Sequence, residues 1–391
     1  MRFFRDLSLT AATAGFVAVL VGFTSSIAVV FQAARAFGAD DAVVTSWLWA
    51  IFVGIGLCTV LPSLWWRKPF MVAWSTPGAA VLAVAGAGYS LHDAVGAFMV
   101  AAGLVVLVGA TGWFERTMDR IPVAIASALL AGVLARFGLQ AFSAAGTAPV
   151  LVVTMLLAYL LGRRFAPRYA VPLTLLVAVV VEAVDGRMAW SAVHFAMARP
   201  VFIAPAFGWQ ATVSLALPLF IVTMASQNLP GVAAIRTAGY DIPISRAITL
   251  TGLATLAMAP FGGYSLNLSA ITASMCMGRE AHPDPARRYV AAVCCGLLYM
   301  LIGVFGVAVT GLLTAFPVEL VAGIAGLALL GSIGGGLATA VQDERHREAA
   351  LITFLVTLSG VVIAGIGSAF WGVVAGALAL FVQQYRARPR A

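Results

Sequence analysis

Long apolar runs, broken by short stretches rich in charge, Pro or Gly, follow one another along this chain almost to its end. TAATAGFVAVLVGFTSSIAVVF and YVAAVCCGLLYMLIGVFGVAVTGLL contain no charged residue. Each reaches the roughly 20 residues that a helix needs to cross a hydrocarbon core of about 30 Å. The pattern predicts an all-α integral membrane protein with fourteen transmembrane segments. The first seven fall near 10–32, 43–64, 69–89, 93–112, 121–139, 147–162 and 169–185. After a polar and aromatic stretch at 186–209, seven more begin near 210, 246, 261, 289, 317, 349 and 368. Hydrophobicity that continues to residue 384 does not fit a cleaved secretory signal, which is one short apolar run ahead of a polar chain.

Composition agrees and removes other classes. Of 391 residues 62% are hydrophobic and 10% charged, with a mean hydropathy of +1.01, whereas soluble domains carry about a quarter charged residues. A net charge of +8 would suit nucleic acid only as a basic stripe on a water-facing surface. Here the cations sit singly or in short clusters between apolar runs, so no nucleic-acid partner is expected. Their placement orients the chain in the lipid bilayer. With the N-terminus in the cytoplasm, 19 of the 23 Lys and Arg residues fall in inner loops and tails, the exceptions being Arg35, Arg187 and Arg199 outside and Arg136 within a span. That asymmetry follows the positive-inside rule and puts both termini in the cytoplasm, at a bacterial-type inner membrane. Adding or removing one segment would invert every later loop and destroy it. Cys58, Cys276, Cys294 and Cys295 lie in or at the ends of apolar runs, without metal spacing or a disulfide pattern, and read as packing residues. No metal or other cofactor is implied, and the chain lacks the Gly-Lys-Ser/Thr phosphate loop of an ATPase.

Seven plus seven segments point to a duplication, and the odd number makes the second copy insert upside down. SSIAVVFQAARAFGAD (25–40) aligns with SQNLPGVAAIRTAGYD (226–241), pairing Ser25 with Ser226, Arg35 with Arg236, Gly38 with Gly239 and Asp40 with Asp241 at an offset of 201. The triplets Ala73-Trp74-Ser75 and Gly263-Tyr264-Ser265 match at an offset of 190, and IPVAIASALLAG (121–132) resembles FPVELVAGIAGL (316–327) at 195. The expected repeats are 1–185 and 210–391, joined by an interfacial linker at 186–209.

The third and tenth segments, 69–89 and 261–279, are interrupted. Both begin at or just after a proline and carry hydroxyl and amide side chains near mid-depth. Pro77 and Gly78 break the helix in one, Gly262 and Gly263 in the other. Proline removes a helical hydrogen bond and pushes the residue before it towards extended conformation. MVAWST is therefore expected to be extended, with the helix restarting at Pro77 and Thr76 as its cap. In the second copy GGYS is expected to be extended and the helix to restart near Asn267. Irregular backbone at membrane depth survives only where it lines a cavity or is buried in protein. A half-helix N-terminus aimed at the midplane favours an anionic group. Paired interruptions at matching places of an inverted repeat are the sequence mark of a transporter site.

AWSTPGAA, the TSS of the first segment and the SQNLPG of the eighth resemble the benzoate/proton symporter family (BenE), and the resemblance covers nearly the whole chain. That family is related to the uracil-type nucleobase transporters, and the resemblance implies their fold of fourteen segments in two inverted repeats. Segments 1–4 and 8–11 would form a core domain, here about 10–112 and 210–312. Segments 5–7 and 12–14 would form a gate domain, here about 113–185 and 313–385. It also implies short antiparallel strands in segments 3 and 10 that meet at the substrate. Carried over position by position, these are Val72, Ala73, Trp74, Ser75 and Thr76 in the third segment and Tyr264, Ser265, Leu266 and Asn267 in the tenth. Where the uracil-type relatives offer the substrate a carboxylate from segments 8 and 10, this chain has Ser226-Gln227-Asn228 and Leu266-Asn267, with no acid. A neutral base welcomes a carboxylate, whereas a carboxylate substrate is repelled by one. The expected function is therefore import of a small aromatic carboxylate such as benzoate, driven by protons through alternating access. Relatives of this fold are often dimers, so the resemblance also implies a homodimer.

Single residues fill in the expected site. Thr24, Ser25 and Ser26 lie about halfway along the first segment, able to donate hydrogen bonds to a substrate or back to their own helix. Gln227 and Asn228 are costly to bury without partners and read as site lining or as glue between helices. Trp74 and Tyr264 are placed to stack on an aromatic ring or to pack the core. Arg136, Glu182 and Glu319 are the ionisable groups nearest to span interiors. Each is about three residues, or about 5 Å, from the outer end of its helix, so snorkelling or mutual pairing competes with a functional role. Glu182 and Glu319 are the candidates for the path of the proton. Two other readings stay open. One is a nucleobase or inorganic anion as substrate of the same fold. The other is a membrane-embedded enzyme, which needs clustered His, Asp or Glu at one depth that the sequence does not show.

Overall fold

A computed structural model describes residues 2–114, 123–364 and 366–384. Arg116, Arg120, Arg386, Arg388 and Arg390, which contribute to the charge asymmetry, and the start of the fifth apolar run at 121–122 lie outside the described residues. From the amino terminus the elements are α1 (Arg2–Asp6), α2 (Leu9–Ala36), α3 (Asp41–Trp66), β1 (Val72–Trp74), α4 (Thr76–Ala85), α5 (Leu91–Ala110), α6 (Val123–Ser143), α7 (Pro149–Phe165) and α8 (Ala170–Val184). After the linker come α9 (Trp209–Thr237), α10 (Ile244–Met258), β2 (Leu266–Leu268), α11 (Ile271–Met277), α12 (Tyr289–Val304), α13 (Gly306–Ala315), α14 (Val318–Gln342), α15 (Arg347–Ser359) and α16 (Ser368–Gln384). Among the described residues eight helices, α2, α3, α5, α6, α9, α10, α12 and α14, are long and apolar enough to cross a membrane. The chain is a mostly helical, multi-pass membrane protein. The run beginning near 289 was expected as one segment and is two helices, because Phe305 (φ −97°, ψ 27°) leaves helical geometry between α12 and α13.

Local chemistry sets these boundaries. Ser8 and Asp40 cap α2 and α3 by accepting from Ala11 and Val43 N–H, and Ser90 with Asp93 forms a reciprocal capping box on α5. In α9, Pro218 and Pro230 stand four residues after Ser214 and Ser226. Neither proline can donate to that carbonyl, and the helix widens to π geometry over Thr212–Ala216 and Met224–Asn228. The polar triplet Ser226-Gln227-Asn228 therefore lies on a widened turn.

The two interruptions meet. Strands β1 and β2 pair antiparallel, Val72 opposite Leu268, Ala73 opposite Asn267 and Trp74 opposite Leu266. A two-stranded ribbon leaves edge N–H groups that need partners in an apolar surround. Val72 N–H donates to Thr59 Oγ1 of α3 (3.2 Å), and Leu266 N–H donates to Thr255 Oγ1 of α10 (3.0 Å). Ser75 caps α4, its Oγ accepting from Gly78 N–H at 2.9 Å. The expected cap was Thr76. Ser75 takes the role because it is the last residue with extended backbone (φ −78°, ψ 98°), while Thr76 already belongs to the helix. The second restart also comes later than expected, at Ile271 rather than near Asn267. Leu266–Leu268 are held in the ribbon, and Ser269 N–H donates to Met71 O at 3.0 Å. The turn before β2 needs a glycine: Gly262 has φ 92°, and a Cβ there would lie 1.9 Å from Trp47.

Around this ribbon, α12 packs along α3 and α2, and α10 packs along α5. On the other side α14 packs along α6, which also meets α15, while α7 pairs with α8. The linker after α8 is strapped to the first group: Ala198 N–H donates to Val304 O (2.8 Å), Ile203 N–H to Pro260 O (2.8 Å) and Ala206 N–H to His92 O (2.9 Å).

Candidate functional site

A cavity of about 330 Å³ lies against the ribbon, between α2, the starts of α4 and α11, the widened turn of α9, α12, α6 and α14. Its size is at the lower end of the roughly 300–1,000 Å³ typical of small-molecule sites. Of the residues expected from sequence, Ser25, Ser26, Ala73, Trp74, Thr76, Ser226 and Gln227 line it. None of its lining residues is charged.

The wall combines aromatic and polar side chains. Trp74 and Tyr299 lie edge to face with ring centroids 5.9 Å apart, and Phe52 stacks behind Tyr299 at 5.7 Å. Trp74 Nε1 is buried without a hydrogen-bond partner. On the same wall, the side chains of Thr76, Ser226, Gln227 and Ser332 make no hydrogen bond to another described residue. Ser25 and Ser26 donate back to Gly22 O at 3.0 and 3.3 Å, so their hydroxyls offer a ligand chiefly acceptor lone pairs until they rotate. Thr76 and Pro77, the first two residues of α4, lie on the wall, so the positive end of that helix faces the cavity.

The remaining expected residues stand behind the wall. Thr24 donates to Leu20 O at 2.8 Å on its own helix. Val72, Leu266 and Asn267 belong to the ribbon, Ser75 is the cap of α4, and Ser265 (φ 45°) bonds side chain to side chain with Thr223. Asn228 is fully buried and accepts from Leu268 N–H at 2.9 Å. Tyr264 is also fully buried, between Trp47 (6.2 Å) and Phe98 (5.8 Å). The aromatic opposite Trp74 is thus Tyr299 rather than Tyr264.

Tyr299 was not expected from the sequence. The one available signal was a glycine: a Cβ at Gly22 would lie 2.5 Å from the Tyr299 hydroxyl, so α2 leaves the room that this side chain fills. Ser269, Thr272 and Ser332 also line the cavity unanticipated, the first two because the tenth-segment helix restarts later than expected.

The ionisable residues at span ends lie elsewhere. Glu182 is fully buried, and Arg187 donates to its Oε1 at 2.6 Å while Oε2 has no partner. Glu319 is within electrostatic reach of that carboxylate. Arg136 is half-buried against Gly360, at the end of α15. Among the described residues no group of three or more His, Cys, Asp or Glu could hold a metal ion.

The fold has counterparts among solved membrane proteins. It is similar to the transmembrane domain of a cyanobacterial bicarbonate transporter, BicA, with a TM-score of 0.60 at 15% identity, over 96% of this chain and 95% of that one. It is also similar to murine Slc26a9, an anion transporter in its inward-facing state, with a TM-score of 0.62 at 12% identity, over 97% of this chain and 70% of that one. In sequence, the model of the benzoate membrane transport protein family, BenE, matches residues 5–382. The inner membrane protein YdcO of Escherichia coli (strain K12) is 47% identical over 369 residues, 94% of each chain. The benzoate membrane transport protein of Acinetobacter baylyi (strain ATCC 33305 / BD413 / ADP1) is 42% identical over 378 residues, 97% of this chain and 96% of that one. The chain belongs to the BenE family of membrane transporters.

Proposed function

We propose that this transporter imports a small aromatic carboxylate, benzoate being the leading member, together with protons across the inner membrane. The observation that carries the reading is the composition of the cavity wall: the aromatic pair Trp74 and Tyr299 together with uncommitted polar side chains, with no acid among them. In this reading the substrate ring packs on those two side chains. Its carboxylate accepts from Thr76, Gln227 and Ser226 at the positive end of α4, where a buried anion is favoured. The name of the relative from Acinetobacter baylyi supports benzoate, and that of the relative from Escherichia coli supports the inner membrane.

The proposal includes fourteen segments in two inverted repeats, with the core and gate domains and the cytoplasmic termini expected from the sequence. Supporting it, Thr59 and Thr255 perform the same service for the two strands, each supplying an acceptor from the helix before its own strand. Alternating access would then be movement of the core, which carries the ribbon, against the gate, which carries α14. Glu182 and Glu319 are the acids nearest to a span interior, but the bond from Arg187 favours a structural role for Glu182. The likeness to a bicarbonate transporter favours an inorganic anion as the second reading.

Uptake of labelled benzoate into proteoliposomes at neutral pH, with bicarbonate, sulfate and uracil as competitors, separates these readings. Benzoate should enter and none of the three should compete. If benzoate neither enters nor competes, the proposal falls.

A further inference from the structure

Beside the central cavity lies a second one of about 250 Å³, lined by Phe114, Val123 and Thr339 among others. Leu130, Ser226, Pro230, Gly335 and Gly336 line both cavities, so these five residues stand between the two. Phe114, the start of α6 and the end of α14 adjoin the loops that the charge count assigns to the cytoplasm. In the orientation proposed above, the second cavity lies on the cytoplasmic side of the central one.

The two glycines between the cavities differ. A methyl group at Gly336 would lie 3.2 Å from Ala131 Cβ and from Ser127 O, so this glycine lets α14 approach α6. Gly335 is exposed, and a methyl group there would meet no heavy atom within 4 Å. Packing does not require a glycine at 335, and glycine within a helix is less stable than alanine. What the missing side chain provides is open width between α14 and the Ser226–Pro230 turn. On the other side of these residues, the central cavity is lined by Trp74 and Tyr299.

We infer that Gly335 forms the aperture through which the substrate leaves the central cavity for the cytoplasm, and that its lack of a side chain sets the largest ring that passes. The inference rests on the proposed function for the identity of the substrate and for the side of the membrane. Gly335 lines the central cavity as well as the second one and brings no side chain to either; a side chain there narrows the exit and leaves the contacts to Trp74, Tyr299 and Gln227 in place. Gly334 has the same open space but lines neither cavity, and serves as the control on the same helix.

Two measurements test this. In the first, Gly335→Ala, Gly335→Val and Gly334→Val are compared with wild type for equilibrium binding of labelled benzoate in detergent and for uptake of benzoate and 4-ethylbenzoate in proteoliposomes. In Gly335→Val the uptake of benzoate should fall about tenfold or more, a methylene-scale steric effect, and by more than any loss of equilibrium binding. Gly335→Ala should slow 4-ethylbenzoate more than benzoate, and Gly334→Val should match wild type. Wild-type rates in Gly335→Val, or equal losses in Gly334→Val, overturn the inference. In the second, Gly335→Cys and Gly334→Cys are treated with a membrane-impermeant thiol reagent from the cytoplasmic face, with the unmutated chain reporting the background of the four native cysteines. Position 335 should be modified and 334 should not, and an unreactive 335 overturns the inference. If wild type takes up no benzoate, the proposed function fails, while the labelling still decides whether 335 lies on the cytoplasmic passage.

Discussion

Asn228 on α9 accepts a hydrogen bond from Leu268 N–H on β2 at 2.9 Å, while its own amide donates to Met224 Sδ at 3.2 Å. The residue that reads most readily as a ligand for substrate instead closes the edge of the ribbon. Asn228→Ala would leave Leu268 N–H buried without an acceptor, at a cost of about 1–3 kcal/mol. Thermal unfolding of the purified variant in detergent should show that loss, whereas Gln227→Ala, on the cavity wall, should unfold like wild type. Equal melting of Asn228→Ala and wild type would show that the bond is not needed.

Gly22 and Tyr299 are matched in shape. Gly22→Ala brings a methyl group within 2.5 Å of the Tyr299 hydroxyl and 3.2 Å of Thr272 Cγ2, displacing one wall of the cavity, and is expected to reduce uptake. Adding Tyr299→Phe removes the nearest atom and should restore part of the lost activity. A double-mutant cycle measures the coupling, expected to be about 0.5–3 kcal/mol for residues in contact. Strictly additive effects would contradict the match.

Trp74 lines the cavity while its Nε1 is buried without a partner. Trp74→Phe keeps most of the aromatic edge and deletes Nε1. With the carboxylate held by Thr76, Ser226 and Gln227, the Kd for benzoate should rise by less than about threefold, well under the roughly 1.4 kcal/mol of one decade. Isothermal calorimetry with benzoate checks this. A Kd weakened tenfold or more would bring the carboxylate to Nε1 instead.

Glu182 and Arg187 form an ion pair with one member fully buried and the other 43% exposed. Glu182→Gln weakens that pair and is expected to lower stability by about 1.5–3 kcal/mol, as for other hydrogen bonds to a charged group. The pH profile of uptake should keep its shape. A profile that flattens in Glu182→Gln would assign the proton to this carboxylate after all.

Much of this architecture was legible in the sequence because membrane solvation leaves few alternatives. Uncharged runs near 20 residues become helices, and Pro77 together with Gly262 and Gly263 marks where helix gives way to the ribbon. Side-chain direction was harder to read. Within the polar triplet on α9, Ser226 and Gln227 face the cavity while Asn228 faces β2, and that partition depends on the widened turn before Pro230. Trp74 and Tyr264 look equivalent across the expected duplication, yet Tyr264 is fully buried away from the cavity and the aromatic position falls to Tyr299 on a different helix. No local pattern marks Tyr299, because its role depends on a contact between Gly22 of α2 and a helix more than two hundred residues further along the chain.

The central claim is that the cavity beside the ribbon carries an aromatic carboxylate with protons. Its most direct test is initial-rate uptake of labelled benzoate into proteoliposomes holding an inward proton gradient, at pH values where the acid is ionised, for wild type and for Trp74→Ala. Wild type should accumulate benzoate, collapse of the gradient by a protonophore should abolish accumulation, and Trp74→Ala should take up little. Accumulation that is indifferent to the gradient would contradict proton coupling, and undiminished uptake by Trp74→Ala would contradict the site.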